Sequence, residues 1–202
     1  MKITVFGSSG GTGIQVVTRA RAAGHDVTAV VRRPNGKDAV ADVGDVESIG
    51  SVIAGADVVV SAIGSRGRGP TTVQTDSAEN IVAAMGARGV RRLVVVSNSG
   101  MVVDDQDTLP SRYLVKPILR RVLKGPWEDM AEMERVIRAS GLEWTIVRPP
   151  RLTDGPHTGR YRTAVDKNLR RGDTISRADL ADLIVACAEN PATAGQAIAV
   201  GY

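Results

Sequence analysis

Three glycines at three-residue steps are the first residues in this chain that could do chemistry. Val5 to Gly13 read Val-Phe-Gly-Ser-Ser-Gly-Gly-Thr-Gly, so Gly7, Gly10 and Gly13 are spaced G-x-x-G-x-x-G. A β-branched run, Ile3-Thr4-Val5, precedes them and a helical pattern follows. A strand that stops in a glycine turn and opens a helix makes an anion site. The backbone, free of Cβ atoms, comes close to a pyrophosphate, and the first helical N–H groups point at its charge. Gly7, Ser9, Gly10, Gly11, Thr12 and Gly13 are therefore the candidate phosphate loop of a nucleotide cofactor. Glycine turns also serve plain helix–strand packing. The strand before the trio, the helix after it and a second strand about 20 residues on are what point to a dinucleotide.

The end of that second strand selects the cofactor. An NAD site places an acid there for the ribose hydroxyls, and an NADP site places arginine for the 2′-phosphate. Val30-Val31-Arg32-Arg33-Pro34 offers two arginines and no acid, with Lys37 nearby. A guanidinium meets a phosphate through a planar fork, so Arg32 is the expected contact, Arg33 the reserve, and NADP(H) the expected cofactor. Asp42 either contacts the adenine or caps a turn.

Alternating strands and helices must position these residues. The pattern predicts strands at Lys2–Phe6, Asp26–Val31, Ala39–Asp42, Asp57–Ala62, Arg92–Val96, Glu143–Val147 and Gln196–Val200. Helices are expected over Gly11–Ala23, after Asp45, over Thr71–Arg88, Ser111–Lys124 and Trp127–Ala139, and from Ser176 to about Ala188. Gly125-Pro126 should separate the fourth and fifth helices, and Ser97–Pro110 should be irregular. Ser176-Arg-Ala-Asp179 resembles a capping box with Asp in place of Glu or Gln. The fold class is α/β: a doubly wound parallel sheet of Rossmann type, residues 1–202 as a single domain, with residues 151–202 completing a substrate pocket.

Composition narrows the partners. The chain has 202 residues, 43% of them hydrophobic, enough for one substantial core. No apolar run nears the roughly 20 residues that cross a bilayer, and no leader segment is visible, so no membrane contact is expected. Cys187 is the lone cysteine, which excludes a disulfide framework or a multi-cysteine metal site within one chain and fits a reducing cytoplasm. A net charge of +4 suits an anionic small molecule, whereas 3% aromatic residues leave few platforms for stacked bases, so nucleic acid is not the expected partner. His25 and His157 stand alone and read as solvated or turn residues, and no metal site is expected. Trp127 and Trp144 read as core. Asp104-Asp105-x-Asp107 resembles a fragment of a calcium loop without its remaining ligands and reads as a solvated loop.

Several ordered motifs resemble the atypical short-chain dehydrogenase/reductase superfamily, and within it the NADPH-dependent flavin reductase/biliverdin IXβ reductase group. They are Phe6–Gly13, Val30-Val-Arg32, Ala41-Asp-Val43, Ile63-Gly-Ser-Arg66, Pro70-Thr-Thr-Val73, Asn80–Met85, Ser97-Asn-Ser99, Ser140-Gly-Leu142, Arg148-Pro-Pro150, Leu152-Thr-Asp154 and Gly159-x-Tyr161. The resemblance implies that Gly10 to Gly13 hold the pyrophosphate, Arg32 the 2′-phosphate, and Asp42 and Val43 the adenine. It also implies that Ile63, Gly64 and Ser65 lie against the cofactor and that Ser97 to Ser99, Pro149 and Pro150 flank the nicotinamide. Ser99 falls on the active-site serine.

Three departures bear on the chemistry. The superfamily's Tyr-x-x-x-Lys pair is missing: Tyr113 lies at a plausible distance from Ser99, but the lysine is Lys116, one residue early, with Pro117 in its place. The histidine that follows the double proline in those reductases is here Arg151. Leu109–Pro126 is longer than its counterpart and adds a basic helix with Arg112, Lys116, Arg120, Arg121 and Lys124. Reduction of a ketone needs a strong proton donor, so a conjugated acceptor is expected instead: a flavin, a quinone or a linear tetrapyrrole. Ser99 would orient it, and Arg151, backed by Arg148, Arg160 and Arg162, would meet its negative charge. The basic helix is either a lid over this site or a surface helix with an inner face of Leu114, Ile118, Val122 and Leu123. The rival expectation is a dinucleotide-binding sensor that lacks the catalytic pair and acts through a protein partner. A sugar-nucleotide epimerase or dehydratase comes third.

Overall fold

A computed structural model describes all residues except Arg66, Arg68 and Pro110, and the backbone but not the side chain of Ser111. Arg66, the last residue of the Ile63–Arg66 motif, therefore lies outside the described residues. The chain alternates β1 (Lys2–Phe6), α1 (Gly11–Ala22), β2 (Asp26–Val31), β3 (Ala39–Val40), α2 (Val46–Ile53), β4 (Val58–Ser61), α3 (Val73–Arg88) and β5 (Arg92–Val96). There follow α4 (Lys116–Val122), α5 (Lys124–Ala139), β6 (Glu143–Arg148), β7 (Arg151–Thr153), β8 (Arg162–Val165), β9 (Thr174–Ser176), α6 (Arg177–Glu189) and β10 (Gln196–Gly201). Strand order in the main sheet is β3-β2-β1-β4-β5-β6-β10-β8, parallel throughout except for β8, which runs antiparallel to β10. The order reverses between β1 and β4, as in doubly wound dinucleotide-binding sheets.

Period-two alternation explains why both faces are covered. In the all-apolar run of β4, Val58 and Val60 face the α1/α6 layer with Ile3, Val5, Val16, Ala20, Leu180 and Ile184. Val59 faces the opposite layer with Phe6, Ile49, Ile81, Met85, Leu93 and Ile137. Each such side chain contributes roughly 1.5–3 kcal/mol by leaving water, and truncating fully buried Ile81 to alanine should cost about 2–5 kcal/mol.

Sequence and structure part company in three places. Gly125-Pro126 does not separate two helices. Both residues sit in the first turn of α5, where a proline needs no N–H partner, and the break falls at Leu123. The three short strands β7, β8 and β9 lie where the alternation fades, and β7 pairs with β9 in a small sheet of its own. The helix over 111–124 opens with a π-helical turn at Ser111–Val115, and of the expected inner face only Leu123 is half-buried. Leu114, Ile118 and Val122 are 61%, 55% and 47% exposed, while Pro117, Arg120, Arg121 and Lys124 face a cavity. Lys116 sets this rotation. Its buried ammonium bonds the Val102 carbonyl and both oxygens of Asp107, which fixes which side of α4 meets the body.

Candidate cofactor and acceptor sites

The loops after β1, β2, β4, β5 and β6 gather at the carboxyl edge of the sheet, where ligands of such folds bind. The loop after β1 is shaped by steric need. Gly7 holds φ +73°, and a Cβ there would lie 2.6 Å from the Ala62 carbonyl oxygen. A Cβ on Gly13 would lie 2.1 Å from the Gly7 carbonyl oxygen, so the first turn of α1 can press against the loop only with glycine there. Gly10 donates its N–H to Gly7 O at 2.9 Å and closes the turn. Ser8 donates to the Val30 carbonyl at 2.7 Å and ties the loop to β2.

Side chains serve three of the helix N-termini, and those of α1, α4 and α5 have no side-chain cap; of these only α1 starts above a glycine turn. Asp45 caps α2 through the Glu47 N–H. The Asp129 carboxylate, reaching from α5, accepts from Gln74 and Thr75 at the start of α3. Ser176 caps α6 through the Asp179 N–H. No side chain caps α1, and its first turn holds no acid. An uncapped helix start above a glycine turn leaves N–H donors and a positive dipole end for an anion.

A cavity of about 350 Å³ opens over this loop, lined by Phe6, Gly7, Ser9, Gly10, Val30, Val31, Arg32, Ala41, Val43, Ala62, Ile63, Gly64, Thr71 and Val73. Seven residues expected from sequence thus share one wall: Gly7, Ser9, Gly10, Arg32, Val43, Ile63 and Gly64. Gly11, Thr12 and Gly13 form the first turn of α1 behind it. Arg33 is exposed and does not line the cavity, and neither it nor Arg32 has a hydrogen-bond or ion-pair partner among the described residues. Asp42 caps its own turn, accepting from the Gly44 N–H at 2.9 Å, and lies outside the lining. Ser65 is half-buried in the loop after β4. Val30, Val31, Thr71 and Val73 fall in two of the motifs that carry the resemblance, but no contact with the cofactor is expected of them from the sequence, because apolar strand ends look alike whether or not a ligand covers them.

The loop after β5 meets the loop after β6. Ser97 donates its N–H to Val147 O at 2.8 Å, and Ser99 donates its N–H to Pro149 O at 2.9 Å, so the Ser97–Ser99 and Pro149-Pro150 segments lie side by side. The Ser97 hydroxyl is committed: it donates to Glu134 Oε1 at 2.6 Å. Glu134 is buried and also holds Arg148 through a two-point pair. Arg148 is therefore a structural cation. So is Arg162, whose guanidinium bonds the carbonyls of Arg170, Arg171 and Tyr202. Arg151 opens β7 with its side chain exposed, and Arg160 is exposed as well. Tyr113 is 70% exposed, and the lysine expected near it, Lys116, is bound to Asp107 at 2.5 Å.

Other solitary residues prove to have partners. His25 is not solvated: its ring lies 2.9 Å from Glu189 on α6, with 9% of the side chain exposed. His157 is 3.3 Å from Asp182. The acids at 104–107 are not a solvated loop either. Asp104 accepts from the Gln106 and Asn168 N–H groups, and Asp107 holds Lys116. Among the described residues no group of three or more His, Cys, Asp or Glu is placed to hold a metal ion. Trp144 is core, as expected, under the Arg138 guanidinium at 4.8 Å. Trp127 is only half-buried and forms a cavity wall. Cys187 is buried, which pushes its thiol up to about 11 and leaves it inert at neutral pH.

The family profile described as NAD(P)H-binding matches residues 7–191, and the chain belongs to that family. A Streptococcus pneumoniae protein provisionally named an NADH-flavin reductase superposes with a TM-score of 0.82 at 26% identity, over 100% of this chain and 99% of that one. A Burkholderia pseudomallei protein provisionally described as exported gives 0.84 at 28% identity over the whole of both chains. The uncharacterized sugar epimerase YhfK of Bacillus subtilis is 26% identical over 98% of this chain and 92% of its own. The molecule is thus an NAD(P)H-binding, oxidoreductase-like Rossmann protein, and no helix among its described residues is long and apolar enough to cross a membrane.

Proposed function

We propose that this chain is an NADPH-dependent reductase of the cytoplasm that passes hydride to a conjugated acceptor, a flavin, a quinone or a linear tetrapyrrole. The observation that carries this reading is the end of β2. Arg32 lines the cavity over Gly7 and Gly10, and no acid stands between Val31 and Lys37 to meet a ribose 2′-hydroxyl. The backbone of Gly7 to Gly13 would hold the pyrophosphate, Arg32 the 2′-phosphate, Val43 and Ala41 the adenine side, and Ile63 and Gly64 the middle of the cofactor. The reduced nicotinamide would supply the hydride. The Ser99 hydroxyl would orient the acceptor by a hydrogen bond, with the Pro149 carbonyl fixing its loop. The proton would come from solvent, since Lys116 is engaged by Asp107 and Val102. A delocalised anion tolerates that arrangement, and a localised alkoxide does not. The same observation counts against the epimerase chemistry in the Bacillus relative's name.

Purified protein mixed with NADPH and, in turn, FMN, a quinone and biliverdin should oxidise NADPH above the uncatalysed rate, with NADH much slower. Arg32→Ala should cost about 10–100-fold in NADPH affinity and little for NADH. Equal loss for both would sink the NADP assignment. Lys116 also favours one rival, a dinucleotide-binding sensor acting through a protein partner. Tight NADPH binding with no acceptor reduced would select it.

A further inference from the structure

A second cavity is larger than the one over the glycine loop. It measures about 750 Å³ and lies between α4 and α5, walled by Met101, Val102, Pro117, Trp127 and Ala131 and ringed by charged groups. Its cations fall into two groups. Arg148 and Arg138 share Glu134, Arg135 holds Glu132 and Lys124 lies 3.8 Å from Glu128. Arg120 and Arg121 also line the cavity, and neither has a hydrogen-bond or ion-pair partner among the described residues. The two acids on the cavity, Glu128 and Glu134, are paired with Lys124 and with Arg138 and Arg148. Arg120 and Arg121 border the cavity because Lys116 pins α4 to Asp107, while Asn168 bonds both the Val102 carbonyl and, through its N–H, Asp104. Ile118 and Val122 of this helix stay exposed while its arginines line the cavity, which runs against its hydrophobic preference.

The cavity also adjoins the Ser99 loop. A Cβ on Gly100 would sit 3.3 Å from the Trp127 ring, so the indole packs directly on the residue after Ser99, and Met101 continues the wall. An aromatic wall beside the Ser99 turn and two guanidinium groups on the same cavity suit a planar ring system carrying a phosphate or carboxylate.

We propose that the cavity between α4 and α5 binds the acceptor, its ring along Trp127 and its anionic group at Arg120 and Arg121. This rests on the reductase reading above and moves the anion contact from Arg151 to α4. Phosphate and carboxylate share the chemistry, and the ligands below tell them apart.

Binding is read by quenching of Trp127 fluorescence in a Trp144→Phe background, so turnover is not needed. FMN should bind at least about tenfold tighter than riboflavin, which lacks the phosphate, or biliverdin tighter than its dimethyl ester. Arg120→Ala/Arg121→Ala should erase whichever preference is seen. Circular dichroism and the melting temperature should be unchanged, since both arginines are exposed. Charged and neutral forms binding equally, a preference that survives in the double variant, or no quenching by any of the four would each overturn the site. NADPH oxidation run in parallel separates the two claims. Charge-dependent quenching without oxidation keeps the site and removes the reductase. Oxidation with a KM for FMN unmoved by the double substitution keeps the reductase and removes the site.

Discussion

The two halves of the carboxyl edge are built by different means. The β1–β4 half is made of backbone: glycines that admit no Cβ, an uncapped helix start and apolar strand ends. The β5–β6 half is made of side-chain charge: Glu134 holding Ser97 and Arg148, Asp107 holding Lys116, and Asn168 holding the loop between them. Backbone sterics make a site that nearly every sequence change spoils. Charge networks make one whose shape can be altered a pair at a time, which suits a common cofactor on one side and a variable acceptor on the other.

Substitutions can break that contrast. Gly13→Val should have the largest effect. A Cβ 2.1 Å from the Gly7 carbonyl cannot be absorbed by a side-chain shift, so either more than about 3 kcal/mol of stability is lost or α1 moves and NADPH affinity falls at least 100-fold. Urea unfolding and calorimetric titration measure the two. Glu134→Ala leaves Arg148 buried without its carboxylate and should cost about 3–5 kcal/mol in urea unfolding. The NADPH affinity of whatever remains folded should be unchanged, and a parallel loss would show that the halves are one unit. Lys116→Met leaves the similarly buried Asp107 without its cation, so it should either cost a comparable amount, about 3–5 kcal/mol, in urea unfolding or, where α4 opens by itself, speed proteolytic cleavage between Val102 and Lys124.

The smallest effect lies away from both halves. Asp179 is buried, which by itself would raise its pKa. Hydrogen bonds from Tyr202, Thr158 and Gly159 outweigh that and bring it down to about 2 from an ordinary 3.8. A carboxyl depressed in the folded state stabilises fully above the unfolded value and loses that contribution as pH falls through 3.8 toward 2. Melting temperature should drop across that window, and Asp179→Asn should flatten the drop while lowering the plateau.

What the sequence made legible follows the same division. Glycine spacing is a local steric requirement, so the phosphate loop, β1, β2 and β5 could be placed from neighbours alone. Arg32 stood out because it follows directly from a strand end. The charge networks join residues far apart: Ser97 to Glu134 across 37 positions, His25 to Glu189 across 164. A solitary histidine and a cluster of aspartates therefore looked solvated when each had a partner elsewhere. The capping box at Ser176 was half right. Ser176 does cap Asp179, but the return bond runs through the Tyr202 hydroxyl, which accepts from the Ser176 N–H and donates to Asp179. Nothing local to Ser176 could reveal a tyrosine 26 residues on. The orientation of α4 was missed because hydrophobicity alone favours the opposite face, and one buried ion pair overrode it.

The sheet's two borders carry a last consequence. A parallel sheet of this width is at risk of recruiting foreign strands along its open rims. Here one rim is β3, only two residues long, and the other is β8, four residues joined antiparallel to β10 with mostly exposed side chains. Neither offers a long flat row of unpaired amides, so a foreign strand finds little to pair with where this sheet begins and ends.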